Sequence, residues 1–264
     1  MRSRNVEVVA IVRRLRYHRP PGGLRTFAEA TRNKVQEVTQ PFLADRRPFV
    51  QADVFALAKL RRIQPHAITF VAEKGFLFRT TWHDLECFGV CDSSGLLIEL
   101  RRMDGLPFPA VPGYDLNERK SHAMRGSKKS WPLGILEAEK FPSIALVEGV
   151  PDFLYAHLVT LTEGARERVA VVGMLSATPP ICPEALPHFF GKRVRIFPHL
   201  DGAGLGGARR WQKQLQAAGA SEVDMFDFSG LVGSDGTPIE DLCDLTKLTP
   251  EDLEADQTLR RMLP

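Results

Sequence analysis

Cysteine is scarce in this chain of 264 residues, and its placement argues against any covalent or zinc-bound framework. Cys87, Cys91, Cys182 and Cys243 are too few and too scattered for a disulfide scaffold. Cys87 and Cys91 have the spacing of half a zinc site, with His83 nearby, but no second Cys or His pair follows at ribbon spacing. No zinc ribbon is therefore expected. Long apolar runs are missing too: none approaches the roughly 20 residues that span a bilayer. The Val6 to Val12 run is short, carries Glu7 and is followed by Arg13 and Arg14, which is not the pattern of a signal peptide. A cytoplasmic location with no membrane partner is expected. What remains is an ordinary globular composition, 44% hydrophobic and 25% charged.

The net charge of +3 conceals an asymmetry. Residues 1–62 carry 14 Lys/Arg against 5 Asp/Glu, residues 63–142 are balanced at 10 each, and residues 143–264 carry 11 against 17. A basic front and an acidic rear suit a protein that holds a polyanion at one end and cations at the other; uneven solvated faces would give the same count.

Along the chain, Arg13, Arg14, Arg16, Arg19 and Arg25 surround a break at Pro20 to Gly23, and helical periodicity resumes from Leu24 to Val38. Ala52 to Ile63 reads as a helix, with Val54, Leu57, Leu60 and Ile63 on one face and Pro65 ending it. The period then changes. Phe76 to Phe78, Cys87 to Cys91 and Leu96 to Leu100 are strand-like, and Asp92 to Gly95 reads as the turn between the last two. Arg101, Arg102, Arg119, Lys120, Arg125, Lys128 and Lys129 follow, interleaved with Gly105, Gly113 and Gly126, with Trp131 behind them. Cationic side chains, accessible glycine amides and an aromatic that can stack a base are the ingredients of nucleic-acid contact.

From Ser143 the pattern alternates. Strands are expected at 143–148, 169–174, 193–198 and 222–227, with helices at about 152–162 and 204–218, which indicates a parallel sheet. Each of three strands is followed by acids: Glu148 with Gly149 after the first, His199, Asp201 and Gly204 after the third, and Glu240, Asp241 and Asp244 after the fourth. In a parallel sheet these loops leave at one edge, so the carboxylates converge. Without Cys or clustered His, such a set favours a hard ion such as Mg²⁺ or Mn²⁺. Gly202 and Gly204 let the chain turn into a helix whose N-terminus can receive phosphate.

Glu148 and Gly149 with Asp152, His199 and Asp201 with Gly204, and Asp241 with Asp244 together resemble the Toprim domain of bacterial DnaG-type primases, type IA and II topoisomerases and some nucleases. Upstream, Phe88 to Gly95, Arg101 to Gly105 and Arg125 to Gly134 resemble the subdomain that precedes Toprim in DnaG-type primases. Primase-like proteins of phages, plasmids and mobile elements are the nearest kin this implies. The resemblance covers about residues 70–248. It implies an α/β fold: a Rossmann-like Toprim parallel sheet flanked by helices (140–248), preceded by a small α+β subdomain that binds nucleic acid (66–139) and a basic, mostly helical N-terminal region (1–65), with a tail at 249–264.

It further implies primer synthesis on single-stranded DNA from NTPs, with one or two divalent ions, Mg²⁺ or Mn²⁺. Glu148, Asp201 and Asp241 or Asp244 would hold the metal, His199 would bind it or donate to phosphate, and Arg101, Arg102, Arg119, Lys120, Arg125, Lys128 and Lys129 would track the template. A replicative helicase, if used, would be encoded separately. Two features depart from the family: the zinc domain of bacterial primases has no counterpart, and His199 stands where the first acid of a D-x-D pair is expected. A non-catalytic DNA-binding Toprim protein and a Toprim nuclease are the alternatives; a topoisomerase fits less well, because the three tyrosines, Tyr17, Tyr114 and Tyr155, suggest no cleavage domain.

Overall fold

A computed structural model describes residues 43–111, 113–114, 118–249 and 259–264. The basic segment around Pro20 to Gly23 and the helix expected over 24–38 lie outside them, as does most of the tail after 249. Among the described residues two helices come first, α1 (Gln51–Arg61) and α2 (Pro65–Glu73). An antiparallel sheet follows, in the order β1 (Leu77–Trp82), β2 (Leu85–Val90), β3 (Glu99–Arg102) and β4 (His122–Ala123).

Two local expectations needed correction here. Pro65 does not merely end a helix; it occupies the first turn of α2, where its missing N–H costs nothing. Ala67, Ile68 and Val71 form the buried face of that helix. The run expected as a strand at 96–100 becomes regular only from Glu99; at Ile98 the Ser127 hydroxyl accepts from the N–H and shares the carbonyl with the Met124 N–H. The turn expected at Asp92 to Gly95 is present, with the Gly95 N–H donating to the Asp92 carbonyl at 3.3 Å; a tighter one, not expected, lies between β1 and β2, where His83 and Asp84 both have positive φ, 48° and 59°. A two-residue primed turn matches the twist of the strands it joins, but it is written here without the usual glycine.

The second half is a parallel sheet with strand order β6-β5-β7-β8. Its strands are β5 (Ser143–Glu148), β6 (Val169–Met174), β7 (Arg193–Phe197) and β8 (Glu222–Met225). Helix α3 (Gly149–Thr162) follows β5 and α4 (Gly202–Ala217) follows β7. The expected architecture, a parallel sheet flanked by helices and preceded by a small α+β unit, is the one observed. Ile144 to Val147 and all of β6 are buried, as interior parallel strands require. In β7 burial alternates instead, and the register is written in charge: Arg195 stands opposite Asp224 and grips it with two hydrogen bonds of 2.9 and 2.6 Å.

Strand β5 is first in sequence but lies inside the sheet. The chain leaves it towards β6 on one side and later runs from β7 to β8 on the other. With right-handed crossovers, α3 and α4 cover opposite faces, and a crevice opens between the carboxyl ends of β5 and β7. One main core unites α1, α2 and this sheet, whereas Phe78, Trp82, Cys87, Cys91, Ile98, Leu100, Phe108 and Val111 form a second cluster. The thiols Cys87 and Cys91 belong to that core, and burial pushes Cys87 up to about 11. Among the described residues no helix is long and apolar enough to cross a membrane.

Candidate metal centre and basic cleft

The crevice collects side chains from three loops. Glu148 ends β5, and Asp152 projects from the first turn of α3, one helical turn on and on the same face. Gly149 makes the turn between them at φ 84°, in the left-handed region that favours glycine. His199 and Asp201 stand in the short connection from β7 to α4, and Asp241 and Asp244 in the loop beyond β8. The second and third loops are tied together by the Leu200 N–H, which donates to the Glu240 carbonyl at 2.9 Å.

Asp152 is the hub. It is 1% exposed, lies 2.7 Å from His199 Nε2 through Oδ2, and accepts from the Cys243 N–H through Oδ1 at 3.0 Å. Asp241 Oδ2 stands 3.9 Å from the same imidazole nitrogen. Ligand atoms of Asp152, His199 and Asp241 all lie within 4.8 Å of one another, close enough to share one cation. Glu148 completes the ring of charge. Its carboxyl is held above the usual range by burial, with His199 opposing that and Asp201 and Asp241 adding to it. The Ala177 N–H supports this carboxyl, yet Oε2 is buried without a hydrogen-bond partner. An orphaned carboxylate oxygen beside two more acids and an imidazole fits a divalent cation, and the mixed oxygen and nitrogen donors suit Mn²⁺ better than Mg²⁺.

Asp201 and Asp244 take different places. Asp201 caps α4, accepting from the Gly204 N–H at 2.6 Å through Oδ1. Asp244 accepts from the Glu240 N–H at 3.1 Å and pairs with Lys247 at 2.8 Å, and its own N–H donates to Asp241 Oδ1 at 2.8 Å. It thus holds the loop that presents Asp241. Gly204 is required by contact. A Cβ there would lie 2.5 Å from the His199 carbonyl oxygen and 2.7 Å from its Cβ. Gly204→Ala should therefore destabilise the fold by about 1–3 kcal/mol. It should also weaken Mn²⁺ affinity, since the displaced residue is His199; urea unfolding and metal titration check the two effects.

Burial pulls the His199 pKa down, but the Asp152 hydrogen bond and charge, with Glu148 and Asp241, outweigh it and raise the group to about 9. Burial raises Asp152 to about 6 against the pull of His199. At neutral pH the two form an ion pair. A folded pKa above the unfolded value of 6.5 gives stability that is fully present below that value and lost as the pH rises through about 9. With EDTA present, the wild type should lose about 1–2 kcal/mol between those limits, a figure discounted for the partly exposed imidazole, and His199→Gln should not. Urea midpoints across that range decide it.

The cations divide by environment. Arg101 is held by the buried Glu99 at 3.0 Å, Arg102 braces its own turn through Asp104 and the Pro107 carbonyl, and Lys128 pairs with Glu184 at 3.0 Å. Lys120, Arg125 and Lys129 are exposed. Arg119 and Lys129, with Glu99, His122 and Ser176, line a cavity of about 290 Å³. His122 Nε2 is buried there without a partner, and burial, Lys129, His83 and Arg119 keep its pKa low. The far wall of the cavity belongs to the carboxylate edge: Met174 is the register partner of Glu148, Leu175 and Ser176 line the cavity, and Ala177 supports the Glu148 carboxyl.

Sequence reasoning gave no ligand role to Asp152 and no site role to Arg61 or His122. The four-residue spacing from Glu148 was the signal available for Asp152. Arg61, at the end of α1, feels both Arg101 and Cys243, its Nε is buried without a partner, and burial lowers its pKa; nothing in the helix pattern distinguishes it from Arg62.

No protein-family model matches the sequence, and no curated protein does. Among solved structures, the primase fragment of the bacteriophage T7 primase-helicase protein aligns at 13% identity over 83% of this chain and 79% of that one, with a TM-score of 0.51. A structure of the T7 lagging-strand DNA polymerase interacting with primase domains bound to an RNA/DNA hybrid and dTTP also aligns, at 13% identity over 71% of this chain and 82% of that one, with a TM-score of 0.47. The chain is thus similar in fold to a phage primase domain.

Proposed function

We propose that this protein is a metal-dependent nucleotidyltransferase of the primase kind, joining NTPs on single-stranded DNA. The observation that carries the reading is the convergence of Asp152, His199 and Asp241 in the crevice between β5 and β7, with Glu148 within their electrostatic reach and a cavity lined by Arg119 and Lys129 beside them. In this reading residues 66–139 form the nucleic-acid-binding subdomain and residues 140–248 the catalytic domain. Asp152, His199 and Asp241 would hold the cation, with Asp201 and Asp244 keeping their loops in place. A divalent ion so held supplies charge neutralisation for a triphosphate and lowers the pKa of a bound hydroxyl.

The protein's own groups do the rest. Glu148 Oε2, buried and unpaired, is the acceptor for the proton of an attacking 3′-hydroxyl. Arg61, Arg101 and Lys129 bind the triphosphate or the template close to the edge, and Lys120 and Arg125 follow the template backbone outward. Such contacts make template affinity fall as salt rises. The test is incorporation of labelled NTPs on circular single-stranded DNA with Mg²⁺ or Mn²⁺, with and without a replicative helicase. Product is expected with both ions and more with Mn²⁺. Folded protein that makes none under any of these conditions rules the reading out.

The second reading, a non-catalytic DNA-binding protein, is favoured by one contact. The ion pair of His199 with Asp152 places a fixed positive charge where a metal would otherwise sit. It predicts DNA binding that is indifferent to EDTA and to Glu148→Gln, with no turnover. A nuclease would instead nick plasmid DNA in the presence of metal.

A further inference from the structure

The opposite end of the parallel sheet holds a second cavity, of about 570 Å³, within the size range of small-ligand pockets. It lies where β6 begins and α3 approaches its end, about 13 Å along α3 from Glu148 at 1.5 Å per residue. Its walls include Phe70, Phe76 and Phe141, and among the polar residues that line it are His157 and Glu137.

Both groups are incomplete. His157 is 6% exposed and packed against Phe153, Phe70 and Phe76, with ring centroids 4.8, 5.7 and 5.9 Å away. Its Nε2 is buried without a partner. Burial and Lys74 depress its pKa to about 3, so the imidazole is neutral and offers either a donor or an acceptor. Glu137 accepts from the Ser93 N–H through Oε1, at 2.9 Å, while Oε2 is buried and unpaired. A buried polar atom without a partner is costly, and two of them on one aromatic-walled cavity mark a place where a ligand supplies the missing bonds.

The segment carrying Glu137 is also held rigidly. Lys192 Nζ donates to the carbonyls of Ala138, Glu139 and Phe141 at 3.1, 2.9 and 2.5 Å. At the mouth, Arg166 is paired with Glu167, but Lys74 and Lys140 have no ion-pair partner among the described residues. Lys74 Nζ instead lies 5.3 Å from the Phe70 ring centroid.

We propose that this cavity binds a purine nucleotide. The flat base lies against the phenylalanines, a base N–H donates to Glu137 Oε2, a ring nitrogen or amino group meets His157 Nε2, and the phosphate reaches Lys74 and Lys140. A purely apolar ligand would leave both polar atoms unpaired. Glu139 and Glu167 also line the cavity, so the phosphate is placed by the two lysines unpaired among the described residues and not by an excess of positive charge. The site is separate from the carboxylate edge and does not depend on the activity proposed there.

The experiment is calorimetric titration of the full-length protein with AMP and, separately, GMP, in EDTA so that metal-dependent binding at the carboxylate edge is silent. At least one is expected to bind with a Kd of about 100 µM or tighter. Glu137→Gln, which keeps the bond to Ser93 but replaces the free acceptor with a donor, should weaken it at least about tenfold. His157→Phe, which keeps the ring and removes the nitrogen, should do the same, and Glu148→Gln should leave it unchanged. Should His157→Phe fail to fold, Glu137→Gln decides alone. Absence of binding up to millimolar nucleotide, full affinity in Glu137→Gln, or loss of affinity in Glu148→Gln would each overturn the proposal.

Discussion

Glu148→Gln should reduce nucleotide incorporation by about a thousandfold while leaving single-stranded DNA affinity within about twofold of wild type. The substitution is nearly isosteric, so the Ala177 N–H keeps its acceptor and the turn at Gly149 is undisturbed. What disappears is one negative charge at the carboxylate edge and, with it, a buried carboxylate oxygen without a hydrogen-bond partner. Stability should rise slightly, because burial is the main influence on this carboxyl and it opposes the charged form. The cations proposed to hold the template lie on other elements and are untouched. Initial rates with Mn²⁺, filter binding and a thermal melt on one preparation distinguish the outcomes. Activity within about threefold of wild type would remove Glu148 from the chemistry. A parallel loss of activity and DNA affinity would make it a structural residue of the cleft.

The parallel sheet was legible because its signals are local and redundant. Ile144 to Val147 and Val169 to Val172 are unbroken apolar runs, and Arg193 and Arg195 face Glu222 and Asp224 across the register. Three acidic loops placed after strands of a parallel sheet had to share an edge. The misreadings fell where a residue has two conformational uses. Pro65 both stops a helix and starts one. His83 and Asp84 adopt positive φ without being glycine, so the tightest turn of the first sheet carried no punctuation.

The acids of the site divide by the contacts they make. Residue type marks an aspartate as a candidate ligand but cannot separate ligand from cap. Asp201 and Asp244 hold backbone N–H groups, while Asp152, which the sequence did not mark as a ligand, is buried between two loops that lie 47 and 91 residues away in sequence. Burial of that kind is a tertiary fact. So is the consequence for His199: the departure from a D-x-D pair, a lost charge on paper, becomes a bond to an aspartate that the same fold has removed from water.

Asp92→Ala should cost about 3–5 kcal/mol. Asp92 reads as an ordinary turn residue, and its bonds to the Ser94 N–H and hydroxyl are those of one. Its other oxygen does something a turn does not need. It accepts from the Trp131 indole N–H at 3.1 Å and from the Gly134 N–H at 3.0 Å, across 39 and 42 residues, and both bonds are buried. Between those two donors lies Leu133, which exchanges backbone hydrogen bonds of 2.8 and 3.0 Å with Gly173 on β6. A single carboxylate thus links the β2–β3 connection to the edge of the parallel sheet, one residue from the register partner of Glu148. Alanine would leave both donors unsatisfied, at about 1–3 kcal/mol each, and loosen the wall shared by the cleft and the carboxylate edge. The Asp92→Asn variant keeps one acceptor oxygen and should lose roughly half as much. Urea unfolding monitored by circular dichroism gives the ordering; a loss below about 1 kcal/mol for Asp92→Ala would show that water replaces the carboxylate.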